Sequence, residues 1–245
     1  MKWLLQNSRK RALFALRNPR YAVGSLLRDL ALSDEKFIGR ITSVSPRRIR
    51  AFMDEPMATP QFASLLSAAA QTFGTLRVES ADLFAKKVLV QYAAVRALEP
   101  QVVLETGVAN GVSSAYVLLA LNKNGQGRLH SIGLDDPAFL PSAREIGWLV
   151  PSWLRERWTL HLGDARKLLP ELLPGLGALD IFIHDSLHTH EHMVWEFETA
   201  YPSLRSGGLL MADDALWNTA FPDFSRSVGA KHAQILRGVG FLLKH

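Results

Sequence analysis

From residue 101 onward the chain alternates two kinds of apolar pattern. Short, almost unbroken apolar runs, QVVLETG, RLHSIGL, WTLHLGD, LDIFIHD and GGLLMADD, are separated by segments whose apolar positions recur at helical spacing. Val112, Tyr116, Leu119 and Ala120 form one such stripe, and Met193, Phe197, Ala200 and Leu204 another. Strands apolar on both faces and set between amphipathic helices predict an α/β fold with a mostly parallel, doubly wound sheet. The tail HAQILRGVGFLLKH reads as two final strands turning around Gly238 and Gly240, which adds an antiparallel C-terminal edge strand.

Residues 1–78 show helical patterns only. Ala22, Val23, Leu26, Leu27 and Leu30 share one face, with Arg20 and Arg28 away from its centre. Ser45-Pro46 and Thr59-Pro60 have the form of helix starts, a hydroxyl cap followed by a residue with no N–H to satisfy. Ser80 is placed to cap a longer helix, ADLFAKKVLVQYAAVRALEP, which Pro100 stops. The expected organisation is an N-terminal helical region, 1–78, followed by the α/β domain, 79–245.

Charge divides the chain in the same way. Residues 1–50 hold 12 Lys and Arg against 3 Asp and Glu, a balance of +9, and the remainder hold 16 against 20, or −4. A basic helical front fits a lid, a homo-oligomer contact or an element that docks on an anionic membrane surface. No nucleic-acid recognition motif or zinc-finger spacing is present, so no nucleic-acid partner is expected. No apolar run approaches the ~18 to 20 residues of a membrane span. The start MKWLLQNSRKRAL meets charge too early for a signal peptide. The expected location is cytoplasmic, peripheral at the membrane if the basic front docks there. With no cysteine, any metal must be held by Asp, Glu, His or Asn.

In open α/β sheets the ligand lies beyond the carboxyl ends of the strands. The polar residues there are Glu105, Asp135, Asp136, Asp164, Asp185, Asp213 and Asp214. The first strand runs into ETGVANGVSS, where Gly107 and Gly111 allow a sharp turn and the next helix aims its amides at the same place. The spacing E-T-G-x-x-x-G is neither the dinucleotide G-x-G-x-x-G nor a phosphate loop. Glu105 can accept from an ammonium group, which a dinucleotide lacks and S-adenosylmethionine has.

ETGVANGVSS resembles the first motif of class I S-adenosylmethionine-dependent methyltransferases, and the element order from about residue 80 to 245 is similar to that whole Rossmann-like domain. The resemblance implies that Glu105, Gly107 and Gly111 line the methionine end of the cofactor, with Ser113 or Ser114 nearby. It likewise implies that HLGDA brings Asp164 and the Ala165 amide to the adenine. One departure stands out: the acidic residue that such enzymes place at the end of the second strand, to bind both ribose hydroxyls, falls on Gly133 in RLHSIGLDD. Asp135 or Asp136 then serves the ribose, or the domain has become a binding protein without transfer activity.

Asp185 in IHDSLHTHEH and Asp213 with Asp214 in MADDALWN lie 28 and 29 positions apart, at the tips of neighbouring strands. With no Lys or Arg expected among them, three converging carboxylates need protons or a cation, and Mg²⁺ suits oxygen ligands. The pattern is similar to the metal-dependent O-methyltransferases of catechols, caffeoyl thioesters and macrolide or aminocoumarin sugars, where such acids hold Mg²⁺ against the substrate's hydroxyls. The alternative is local capping by Asp185 and Asp213. His188 resembles in position the catalytic lysine of the catechol-type enzymes, and an imidazole can take a hydroxyl proton. His188 and His192, with Glu196, are expected on one helix face, and His190 nearer the apolar stripe; a zinc or iron site of Asp185, His188 and His192 is the rival reading. Trp217 and Asn218 are the residues best placed to touch substrate. The expected function is therefore S-adenosylmethionine-dependent methyl transfer, with Mg²⁺ assistance, to a hydroxyl of a small molecule or sugar.

Overall fold

The computed structural model describes residues 33–65, 78–136, 140 and 144–245, with 78–85 as backbone alone. Seven strands form one sheet: β1 (Val102–Thr106), β2 (Arg128–Gly133), β3 (Trp158–Leu162), β4 (Leu179–His184), β5 (Leu204–Ala212), β6 (His232–Leu236) and β7 (Val239–Leu243). Their order is β3-β2-β1-β4-β5-β7-β6. β1 runs parallel to both β2 and β4, and β4 to β5, so the order reverses between β1 and β4. The antiparallel C-terminal strand is β7, which pairs with β5 on one side and β6 on the other. Composition explains why it lies one strand in from the edge: VGFLL is buried almost throughout, whereas His232 and Gln234 leave β6 half-exposed.

Alternate residues of each strand feed two cores, as the pleat requires. Val103, Ile181, Ile183, Leu209, Met211 and Phe241 face one side, against α3 (Val78–Leu98) and α4 (Val112–Asn124). Leu104, Phe182, Leu210 and Leu242 face the other, against α5 (Ala165–Leu176), α6 (His190–Ala200) and α7 (Ala220–Ser227).

The N-terminal helices α1 (Asp34–Thr42) and α2 (Pro46–Asp54) join the first of these cores through Phe37, Ile38, Ile49 and Phe52. The Phe37 ring meets Phe241 edge-on at 5.3 Å. Ser45 caps α2, and Pro46 stands at its first turn as expected. At Thr59-Pro60 a helical turn does begin, but the Thr59 hydroxyl donates back to the Glu55 carbonyl at 2.8 Å. α3 starts at Val78, so Ser80 lies inside the helix and does not cap it, and Leu204 of the expected stripe belongs to β5. The apolar stripe Ala22 to Leu30 and most of the basic front lie outside the described residues.

Candidate functional site

Three strand ends meet at the switch in strand order, and backbone bonds hold them level. Asp185 N–H donates to the Thr106 carbonyl and Asp213 N–H to the His184 carbonyl, each at 2.8 Å. Gly107 has φ of 90°, and a Cβ there would lie 1.9 Å from the Asp185 carbonyl oxygen. Only glycine fits, because the loop after β1 rests directly on the end of β4. At Gly111, with φ of 83°, a Cβ would lie 2.8 Å from Gly147 Cα. There the segment 147–149 is bonded across the loop, Gly147 N–H to Ala109 O at 2.8 Å and Leu149 N–H to Asn110 O at 3.0 Å.

Glu105 is fully buried, and its carboxylate accepts the hydroxyls of Ser114 (2.6 Å), Ser131 (2.8 Å) and Ser113 (3.0 Å). Burial raises its pKa against the pull of those three bonds. The structure therefore bonds Glu105 to Ser113 and buries the Glu105 carboxylate, while Ser113 stays only partly buried. Their work is to fasten β1, β2 and the start of α4 together.

At the other end of the cleft the expected residues are accessible. Asp135 is exposed, and Leu134 and Leu162, each 57% exposed, place apolar surface past the ends of β2 and β3. Asp164 caps α5, accepting from Arg166 N–H at 2.8 Å, and Ala165 follows it buried. Apolar surface flanked by carboxylates fits the base and hydroxyls of an adenosine. Gly133 does not contribute: a Cβ on it would lie 2.5 Å from Ile146 Cδ1 and 3.2 Å from Val108 side-chain atoms, so two apolar residues fill the place of an acidic side chain.

The acidic cluster differs from the expected one in a decisive respect, since a lysine sits within it. Lys87 Nζ, from α3, lies 2.5 Å from Asp213 Oδ2 and 3.1 Å from Asp214 Oδ1. Burial works against its charge, but Asp213, Asp214 and Asp185 together hold its pKa above the ordinary lysine value. Burial alone would raise Asp213, and Lys87 overrides it and holds that carboxyl below its usual range. Asp185 goes the other way, raised well above the carboxylate range by burial and then by Asp213, to which it is hydrogen-bonded.

Ligand atoms of Asp185, His188 and Asp213 lie within 4.8 Å of one another, close enough for one metal ion. Asp213 Oδ1 and His188 Nε2 are buried without a hydrogen-bond partner, and His188 Nε2 stands 3.6 Å from Asp185 Oδ1. A carboxylate pair with two unpartnered donor atoms beside it suits a hard divalent ion. Asp214, expected in that set, is bonded to Lys87 at 3.1 Å and does not converge with the other three.

The histidines separate by role. α6 begins at His190 with Thr189 as its cap, so His188 precedes the helix and does not share a helical face with His192. His188 packs against Trp217 and His184, ring centroids 5.1 and 5.2 Å away. Burial and then His184 lower its pKa to about 4, so it is neutral at pH 7. His190, expected near the apolar stripe, is exposed and reaches Asp223 at 3.0 Å. His192 is buried and bonded through Nε2 to Glu196 at 2.9 Å, and it does not converge with Asp185 and His188, whose third neighbour is Asp213. Asn218 donates to the His188 carbonyl at 3.2 Å and accepts from Ala220 N–H at 2.8 Å, fixing the loop that carries His188.

The protein family described as "Methyltransferase domain" matches residues 104–215, which span this glycine loop, the switch point and the acidic cluster. Residues 104–215 thus resemble a methyltransferase domain. Among curated proteins it is similar to demethylmacrocin O-methyltransferase of Streptomyces fradiae, 37% identical over 71 residues, 28% of this chain and 18% of that one. A second relative is 8-demethyl-8-alpha-L-rhamnosyl tetracenomycin-C 2'-O-methyltransferase of Streptomyces olivaceus, 36% identical over 74 residues, 30% of this chain and 18% of that one. The matches thus span 18% of the length of either curated relative. In fold, the chain resembles cofactor-bound Rv0187 from MTB, with a TM-score of 0.54 at 19% identity over 80% of this chain and 95% of that one.

Around this site, Lys87 and Glu196 carry weight that sequence reasoning did not assign. The signal for Lys87 was a charged pair, Lys86-Lys87, interrupting the apolar run of α3. For Glu196 it was a carboxylate one helical turn after His192, among residues that are otherwise buried.

Proposed function

We propose that this chain transfers a methyl group from S-adenosylmethionine to a hydroxyl oxygen of a small molecule, a sugar hydroxyl being the best supported acceptor. The observation that carries the reading is the meeting of Asp185, Asp213 and His188 at the carboxyl ends of β4 and β5, within residues that resemble a methyltransferase domain. The two curated relatives, named as O-methyltransferases of demethylmacrocin and, at a 2' oxygen, of a rhamnosyl tetracenomycin, support the acceptor class.

When bound, S-adenosylmethionine supplies an electrophilic methyl on sulfur. The loop 107–111 and the accessible residues Asp135, Asp164 and Leu162 are the surfaces that would hold it. A divalent ion such as Mg²⁺ on Asp185 and Asp213 would lower the pKa of the acceptor hydroxyl. His188, neutral and with Nε2 unpartnered, is the group to accept the hydroxyl's proton. Trp217, packed on the His188 ring, excludes water on that side. The rest of the rate comes from holding oxygen, methyl and sulfur in line.

Calorimetric titration of S-adenosylhomocysteine into the protein, with Mg²⁺ and then with EDTA, tests this. Micromolar binding that changes on chelation supports both parts. Binding indifferent to EDTA removes the ion. No binding in either buffer favours the second reading, a repurposed domain, for which the blocked position at Gly133 is the motive. Docking of the basic front on anionic membranes is tested separately, by liposome co-sedimentation with and without residues 1–35. No described helix is long and apolar enough to cross a membrane.

A further inference from the structure

Beneath the cluster lies a buried carboxylate that the transfer chemistry does not use. Glu196, on α6, has no solvent exposure and accepts four hydrogen bonds. Thr106 Oγ1 (2.5 Å) and His184 Nδ1 (2.6 Å) reach its Oε2, and Ser186 Oγ (2.7 Å) and His192 Nε2 (2.9 Å) its Oε1. Thr106 and His184 are themselves fully buried.

The positions of those donors give the arrangement its meaning. Thr106 is the residue before Gly107, at the root of the cofactor loop. His184 and Ser186 flank Asp185 on either side. One carboxylate is therefore bonded to the cofactor side and to the acceptor side of the cleft at once, where the two also touch directly through Gly107 and the Asp185 carbonyl. A shift of either strand end must break short bonds to Glu196, and the intervening atoms are packed too closely to absorb it.

Resting on the methyltransferase reading, we infer that Glu196 is a positioning residue that couples the cofactor loop at Thr106 to the acceptor-side carboxylate Asp185. It touches neither the methyl group nor the hydroxyl. It makes occupancy of one side of the cleft register on the other, and linkage requires that effect to be reciprocal.

The test is calorimetry on the full chain, with S-adenosylhomocysteine and Mn²⁺ as probes, each titrated with and without the other. Wild type is compared with Glu196→Gln, in which an amide NH₂ cannot accept two donors. Thr106→Val is the second variant, because it cuts the link to β1 alone, keeps the shape and leaves Glu196 paired with His184. In wild type each probe is expected to tighten the other by about fivefold or more. In both variants that factor is expected to fall to about one, with Thr106→Val retaining its melting temperature and its affinity for each probe alone, a split that mere loss of stability does not produce. Variants that keep the wild-type factor overturn the inference, as does a wild type that binds S-adenosylhomocysteine but either ignores Mn²⁺ or binds the two independently. A wild type that binds no S-adenosylhomocysteine overturns the methyltransferase reading itself, and the inference with it.

Discussion

The Lys87 ammonium lies 2.5 Å from Asp213, although 126 positions separate the two in sequence. It supplies a fixed positive charge where the carboxylates just beyond β5 would otherwise repel. Lys87→Met should leave Asp213 and Asp214 buried without it, at a cost of roughly 3 kcal/mol. Added Mg²⁺ should restore part of that loss by taking over the counter-charge. Thermal melts of both proteins, with Mg²⁺ and with EDTA, measure this. Equal melting temperatures for variant and wild type would show that the lysine contributes nothing to the cluster.

Glu105 predicts an effect of a different kind. Its carboxylate accepts from three serines, so Glu105→Ala removes the acceptor of three hydroxyls next to the cofactor loop, although Ser131 still accepts from Trp158 Nε1 at 2.9 Å. The expected destabilisation is about 2 to 4 kcal/mol, with Ser114→Ala costing about 1 kcal/mol. Urea unfolding of each variant checks the ranking. A Glu105→Ala protein as stable as wild type, but unable to bind S-adenosylhomocysteine, would return Glu105 to the cofactor.

The contrast between these residues shows what was legible in the sequence. The mostly parallel, doubly wound sheet followed from apolar runs of the right length between helical stripes, because parallel strands must be covered on both faces; the order of its strands did not. The meeting of Asp185 with Asp213 followed too, since both stand just beyond paired strand ends, His184 opposite Ala212. Lys87 was hidden, because its contact depends on how α3 crosses the sheet and no local period encodes that. The serine partners of Glu105 were hidden for a related reason: its position at a strand end was readable, but Ser131 reaches it from the next strand, through a pairing set by tertiary register. His188 was placed on a helix that begins two residues later, at a cap the histidine-rich run obscured.

Gly133 offers a gain-of-function experiment. Gly133→Asp alone drives a Cβ against Ile146 and should cost about 1 to 3 kcal/mol. Ile146 meets it with the end of a flexible side chain, so Gly133→Asp with Ile146→Ala opens room for a carboxylate at the end of β2. The double variant should bind S-adenosylhomocysteine about tenfold more tightly, worth ~1.4 kcal/mol. Titration of both variants decides the matter. Unchanged affinity in a folded double variant would mean that the ribose does not pass this strand end.

His188 sets an expectation for pH. Buried and neutral, it has a folded pKa of about 4, against an ordinary value of 6.5. Between those two values the unfolded chain takes up a proton that the folded protein refuses, so stability falls as pH drops from about 6.5 toward 4 and is unaffected above that window. The full linkage is on the order of 3 kcal/mol for a shift of that size. Asp213, held below its usual range by Lys87, loses its own contribution only at still lower pH, once it binds a proton in the folded state. Urea unfolding at pH 7 and pH 5, on wild type and His188→Phe, isolates the histidine, because phenylalanine keeps the contact with Trp217 and does not titrate. The variant should lose most of the difference between the two pH values. The same low pKa leaves His188 free to accept a proton across the neutral range, so the acid limb of any methyl-transfer profile should fall well below pH 6. A limb near 6.5 in a stable protein would assign the proton acceptor to another group.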